Sequence, residues 1–231
     1  MTLSKVSGKP AGTLDVSDSR QTARFIRTNT QLMTPPLVPE IVLHLAEESV
    51  PIWQKTEEEL GAMNVPPPYW AFAWAGGQAL ARYILDHNET CRGLSVLDLG
   101  SGSGMTAIAA AKAGARTVVA ADIDALALAS VLLNCEANGV RVEVLGEDLL
   151  ASPPSGFDVI LVGDLFYERS LADRVLAYID QARAAGMSVL IGDPQRNYFP
   201  RGRFTAVADY AVPVTRELED SEIKKTAVWR A

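Results

Sequence analysis

This sequence predicts an α/β fold built on a mainly parallel sheet with helices on both faces. Three observations carry that prediction. From residue 94 onward, short apolar runs alternate with longer helical stretches, the order that sets parallel strands side by side. Those runs are rich in Val, Leu, Ile and Ala on both faces, as strands covered twice over are. The last two strand-like runs have no helix between them, so the sheet ends in a hairpin with one antiparallel strand.

Taken in order, residues 1–20 are rich in Ser, Gly, Thr and Lys and read as loose. Residues 21–64 read as helical in pieces, broken by Pro35, Pro36, Pro39 and Pro51. Within them, Ile41–Leu45 fits either a short helix or an extended segment, and periodicity does not choose. Pro66, Pro67 and Pro68 make a rigid break. After it, Trp74–Asp86 reads as a helix with Leu80, Tyr83, Ile84 and Leu85 on its apolar side. The implied division is an N-terminal extension over 1–64, partly disordered and then helical, and a main domain over 65–231. In that domain strands are expected near 94–99, 116–121, 141–145, 157–163 and 187–192. Helices are expected near 104–113, 125–138 and 168–185, with Gly139 as a C-cap for the second. Phe204–Val214 and Lys224–Trp229 form the terminal hairpin, joined by the acidic turn Glu217–Glu222.

Bulk composition narrows the function classes. A chain of 231 residues suits one sizeable α/β domain with an appendage. Its net charge of −7 disfavours a phosphate-backbone binder, which needs clustered Lys and Arg, so no nucleic-acid partner is expected. Cys91 and Cys135 are far apart and outside any CxxC, as free thiols in a reducing compartment are. With only His44 and His87 present, a histidine metal cluster is excluded, and no metal is expected. Residues 1–20 have no apolar core of a secretory signal, and no apolar run approaches a bilayer span. A cytoplasmic, membrane-free and monomeric protein is the expectation.

The most informative stretch is Val96-Leu97-Asp98-Leu99-Gly100-Ser101-Gly102-Ser103-Gly104, an apolar strand feeding a glycine-rich turn and then a helix. Glycine lets the backbone approach a ligand closely, and a helix start offers unpaired N–H donors, so this is a nucleotide-binding device. A dinucleotide loop would place its third glycine at Met105, whereas here the spacing is G-x-G-x-G. Asp98 fits a contact to a ligand amino group, direct or through water, or else a cap for the turn. Asp122, at the tip of the second strand, fits a ribose diol acceptor with Ile123 beside it, while Asp124 fits an N-cap for the next helix. Glu147-Asp148-Leu149 follows the third strand and suits an adenine site, an acid for the exocyclic amine and an apolar side chain for the ring. Asp164-Leu165-Phe166-Tyr167 follows the fourth strand, whose C-terminal end faces the crevice, so Asp164 and Tyr167 should border the reacting group.

The glycine loop with Asp98 resembles motif I of the seven-strand S-adenosylmethionine-dependent methyltransferases. The D-x-x-Y after the fourth strand is similar to that of a protein methyltransferase group that includes several lysine methyltransferases. Nucleic-acid N6-adenine methyltransferases carry N/D-P-P-Y/F there, and this chain does not; Pro67-Pro68-Tyr69 precedes motif I instead. The segment Pro68-Tyr69-Trp70-Ala71-Phe72-Ala73-Trp74-Ala75-Gly76-Gly77-Gln78 resembles the signature of the electron transfer flavoprotein β-subunit lysine methyltransferases, departing at Ala75 where proline is expected. Thr34–Leu45 is similar to that family's N-terminal region. The resemblance implies a Rossmann-like seven-strand sheet with a C-terminal antiparallel hairpin and a helical N-terminal extension. It implies S-adenosyl-L-methionine as cofactor, held by Trp74, Asp98, Gly100, Ser101, Gly102, Gly104, Asp122, Ile123, Asp148, Leu149 and Asp164. It implies Asp164 and Tyr167 as catalytic residues, and lysines of the flavoprotein β subunit as acceptors. Another protein, such as ribosomal protein L11, or a small amine is the alternative acceptor.

Overall fold

The protein is described by a computed structural model over residues 14–46, 67–215 and 221–231. The chain enters through α1 (Ser19–Asn29), β1 (Gln31–Met33) and β2 (Leu43–Leu45), then passes a single turn at Tyr69–Ala71 into α2 (Ala75–Asp86). Strands and helices then alternate: β3 (Ser95–Leu99), α3 (Met105–Lys112), β4 (Thr117–Ala121), α4 (Ala125–Asn138), β5 (Glu143–Leu145), β6 (Val159–Gly163), α5 (Arg169–Ala184) and β7 (Ser188–Asp193). The hairpin β8 (Thr205–Pro213) and β9 (Ile223–Arg230) closes the chain. The seven-stranded sheet runs β5-β4-β3-β6-β7-β9-β8, with β3 to β7 parallel and β9 antiparallel to both neighbours.

Period-two alternation assigns the side chains to two cores. Val96, Val118, Val159, Leu161 and Leu190 point to the face covered by α2 and α3. Leu97, Leu99, Ile160, Val162, Val189 and Ile191 point to the face of α5, with Phe166, Phe199 and Phe204. Each fully buried Val, Leu or Ile contributes roughly 1.5–3 kcal/mol by leaving water, so the two faces of the sheet carry most of the strands' apolar burial. Asp98 shares the face of Val96, under α3, and stands in register between Ala120 and Leu161.

Of the helical pieces read in 21–64, the described residues contain α1 and then depart over 30–46, while 47–64 lie outside the described residues. Helix α1 begins at Ser19, inside the stretch read as loose, because Asp18 accepts from the amides of Arg20 and Gln21 at 2.9 and 3.2 Å. From 31 to 45 the chain forms two short strands joined through turns, with Gln31 opposite Leu45 in the antiparallel β1–β2 pair. Pro35, Pro36 and Pro39 lack the amide donors of a helix, and the β2 segment, besides pairing with β1, finds further partners on α4. Asn134 and Asn138 of α4 act as a surrogate strand: the His44 amide donates to Asn134 Oδ1 at 2.7 Å, the Val42 amide donates to Asn138 Oδ1 at 3.1 Å, and Asn138 Nδ2 donates to the Val42 carbonyl at 2.6 Å. Val38, Ile41 and Leu43 are fully buried in the main core. The proposed boundary at 64/65, Pro51, Pro66 and most of the acidic turn at 217–222 lie outside the described residues. No helix among the described residues is long and apolar enough to cross a membrane.

Candidate active site

The crossover direction reverses between β3 and β6, and a crevice opens at their C-terminal ends, where such sheets bind ligands. A cavity of about 870 Å³ lies there, within the size range of small-molecule sites.

The glycine loop forms one wall. Gly102 has φ +54°, which only glycine adopts cheaply, and its amide donates to Asp122 Oδ2 at 2.9 Å. The other Asp122 oxygen accepts from the Asp124 amide at 3.0 Å, and burial pushes this carboxyl above its ordinary range. Asp98 is 1 % exposed and bonded inward. It accepts from Ser101 Oγ at 2.5 Å, Thr106 Oγ1 at 2.6 Å and the Ala107 amide at 3.1 Å. It therefore braces the turn and the start of α3, which is the capping alternative for this residue. Asp124 caps α4 through the Leu126 amide at 2.9 Å, and burial raises its pKa to about 6.

Of the residues the sequence singles out, Trp74, Asp98, Gly100, Ser101, Gly102, Asp122, Ile123, Asp148, Leu149, Asp164 and Tyr167 all line this one cavity. Gly104 does not: it is the left-handed N-cap of α3, packed behind the loop against Val131. Asp148 is already engaged, accepting from the Leu150 amide at 3.2 Å and from Arg174 Nη2 at 2.6 Å. Both tryptophans after the prolines line the cavity, Trp70 from within the core and Trp74 half-buried on its wall. Trp74 Nε1 donates to the Tyr69 carbonyl at 2.8 Å, and the rings of Tyr69 and Tyr167 lie 5.8 Å apart at the mouth.

Opposite the glycine loop, Asp164 adopts φ +58°, a conformation uncommon for a residue with a side chain. Its amide is tied to the Gly192 carbonyl at 3.0 Å, and its Oδ2 accepts from the Gly77 amide at 2.7 Å. This geometry depends on a backbone-to-backbone approach. A Cβ on Gly76 would lie 2.2 Å from the Gly192 carbonyl oxygen and 2.6 Å from Asp164 Oδ2, so the Gly76-Gly77 pair lets α2 start directly on the ends of β6 and β7. Asp164 Oδ1 accepts from Arg196 Nε at 2.9 Å and Nη2 at 2.7 Å, and the same guanidinium lies 5.4 Å from the centre of the Trp74 ring. Sequence reasoning misses Arg196. Its signal was its position just past the fifth parallel strand, in Asp193-Pro194-Gln195-Arg196, where that rule about strand ends also applies. Asp193 is fully buried and accepts from the Arg196 amide at 2.7 Å; burial first, and then Asp164, raises its pKa to about 7.

The family model described as "Ribosomal protein L11 methyltransferase (PrmA)" matches residues 78–193. The electron transfer flavoprotein beta subunit lysine methyltransferase of Rattus norvegicus is 37% identical over 212 residues, covering 89% of this chain and 82% of the relative. The ribosomal protein L11 methyltransferase of Geobacter sulfurreducens is 40% identical over 117 residues, covering 50% of this chain and 38% of the relative. Among solved structures, magnesium protoporphyrin IX methyltransferase from Synechocystis superposes with a TM-score of 0.51 at 16% identity, over 68% of this chain and 82% of that one.

Proposed function

The chain belongs to the electron transfer flavoprotein β-subunit lysine methyltransferase family, and from that premise we propose that it transfers methyl groups from S-adenosylmethionine to lysine side chains of that subunit. The observation that carries this reading is that the glycine loop, the Asp122 tip and the strained Asp164 turn meet in one cavity at the switch point of the sheet. The residues fit the cofactor. Asp122, on the cavity wall, would accept from the ribose hydroxyls. Ile123, although 78 % exposed, is a large aliphatic at the cavity edge and offers a face to the adenine, as Leu149 does. Asp148 would accept from the exocyclic amine in addition to its bonds to Leu150 and Arg174. When bound, S-adenosylmethionine supplies a methyl group already activated on a sulfonium.

The chain's own task is then alignment and control of charge. In-line displacement needs amine, methyl and sulfur on one axis, and holding reactants in that geometry is a large effect. Lysine attacks only when neutral, which for a free pKa of ~10.4 costs about 4–5 kcal/mol at pH 7. A cavity walled by Trp74, Tyr167 and Leu165 keeps water away and disfavours the ammonium. Asp164 and Tyr167 orient the amine. Burial raises the Tyr167 hydroxyl above its ordinary pKa, so it stays protonated and takes part as a hydrogen-bonding group. An Asp164→Ala enzyme tests this role: turnover should fall at least about 100-fold with cofactor affinity kept, and unchanged turnover contradicts it.

The same reading takes residues 65–231 as the catalytic domain and 1–64 as an extension that covers the site. It places a monomer in the cytoplasm, where the buried thiols of Cys91 and Cys135 stay free, and it takes a protein and not a nucleic acid as acceptor. Ribosomal protein L11 is the second acceptor to weigh, because the family model spanning 78–193 carries that name.

A further inference from the structure

A lone carboxylate beside the reacting methyl would hinder this chemistry. It would form an ion pair with the incoming lysine ammonium and hold the amine in the form that cannot attack. Asp164 stands at that place and is only 8 % exposed. Yet its charge is answered before any acceptor arrives: Arg196 donates twice to Oδ1, and the Gly77 amide occupies Oδ2. The guanidinium is itself anchored, with its side chain 16% exposed, its plane beside Trp74 and its own backbone amide on Asp193. An arginine so fixed keeps its charge throughout the working pH range.

We propose that Arg196 is a positioning residue that saturates Asp164, so that the acceptor lysine enters as the neutral amine and receives a hydrogen-bond acceptor without an ion-pair partner. The inference rests on the lysine methyltransferase reading above. It reconciles two demands on one spot: a carboxylate oxygen to aim the amine, and no net negative charge to hold its extra proton. The groups around the pair are few. The start of α2 contributes the Gly77 amide and the Trp74 ring, neither of which titrates. The end of β7 contributes Asp193, and Tyr167 and Asp122 border the same cavity.

The test is kcat against pH, from about 6 to 10, with saturating S-adenosylmethionine and purified electron transfer flavoprotein. Arg196→Gln should move the acidic limb upward by about one pH unit or more, the size expected when an opposite charge is left beside a titrating amine. Arg196→Lys, which keeps the charge, should restore most of the wild-type position. A uniform loss of rate with the limb in place overturns the proposal, because that is what a purely structural arginine gives. An upward shift that vanishes in an Asp193→Asn background also overturns it, since the limb would then belong to Asp193. A second readout needs no turnover: proton release when the flavoprotein binds enzyme loaded with S-adenosylhomocysteine, from calorimetry in two buffers at about pH 8. Arg196→Gln should lower that release, whereas Asp164→Asn should leave it at or above the wild-type value; equal release from wild type and Arg196→Gln overturns the proposal. Failure of the lysine reading looks different, because the wild-type enzyme itself would then label no lysine.

Discussion

A carboxylate at the end of a strand can serve a ligand or its own loop, and Asp98, on the cavity lining, braces the loop. Three donors converge on it in a space that excludes water, so Asp98→Ala leaves two hydroxyls and an amide without their partner. The expected cost is about 2–4 kcal/mol of folding stability, together with weaker cofactor binding. Denaturant unfolding and calorimetry check both, and a stable variant with full affinity contradicts the bracing role. The loop and its acid are legible in the sequence because they are contiguous: strand, acid and alternating glycines occupy nine successive residues. Arg196 is not legible in that way. Its partner lies 32 residues earlier and on another strand end, and neither periodicity nor a motif reports such a pair.

Among the elements, the junction of α2 with β6 and β7 is the tightest. Gly76→Ala would drive a methyl into the Gly192 carbonyl, with no flexible side chain to give way. Overpacking of this kind costs about 1–3 kcal/mol. Because the Gly77 amide holds Asp164, kcat should fall more than cofactor affinity. A Gly76→Ala enzyme with wild-type kcat would contradict that link. A second junction is the surrogate strand on α4. Asn134 takes the His44 amide on one side and donates to the Ser103 carbonyl at 2.8 Å on the other, tying the extension to the glycine loop. Asn134→Ala should therefore destabilise the extension and weaken cofactor binding together, as proteolysis near residue 45 and calorimetry would show; loss of one without the other contradicts the coupling. The sequence shows the β3–β7 alternation clearly, since each strand is an apolar run between helical stretches. It hides β1 and β2, each three residues long, which pair with each other while two asparagine side chains of α4 dock the β2 segment.

For the molecule as a whole, buried acids set a pH dependence. The folded-state pKa values of Asp193, about 7, and Asp124, about 6, lie above the ordinary carboxyl value, so the folded state holds more protons than the unfolded one between pH ~4 and 7. Their contribution to stability is therefore lost as pH rises through that window. Asp193→Asn should flatten the slope of unfolding free energy between about pH 4 and 7; an unchanged slope contradicts the assignment. At the cavity mouth, Tyr69 is 52 % exposed although it is a large aromatic. On the proposed reading, its place beside Tyr167 puts it in the path of an incoming protein acceptor. Tyr69→Ala should raise KM for the protein acceptor several-fold while leaving cofactor affinity unchanged, and an unaltered KM would remove it from the acceptor path.

The most direct test of the central claim is transfer itself. Purified protein, labelled S-adenosylmethionine and purified electron transfer flavoprotein are incubated together, and the label is mapped by mass spectrometry. Label on lysines of the β subunit, absent with Asp164→Ala, is the predicted result. An unlabelled flavoprotein, with label instead on ribosomal protein L11 or another protein in an extract from cells lacking the enzyme, would contradict the proposed acceptor.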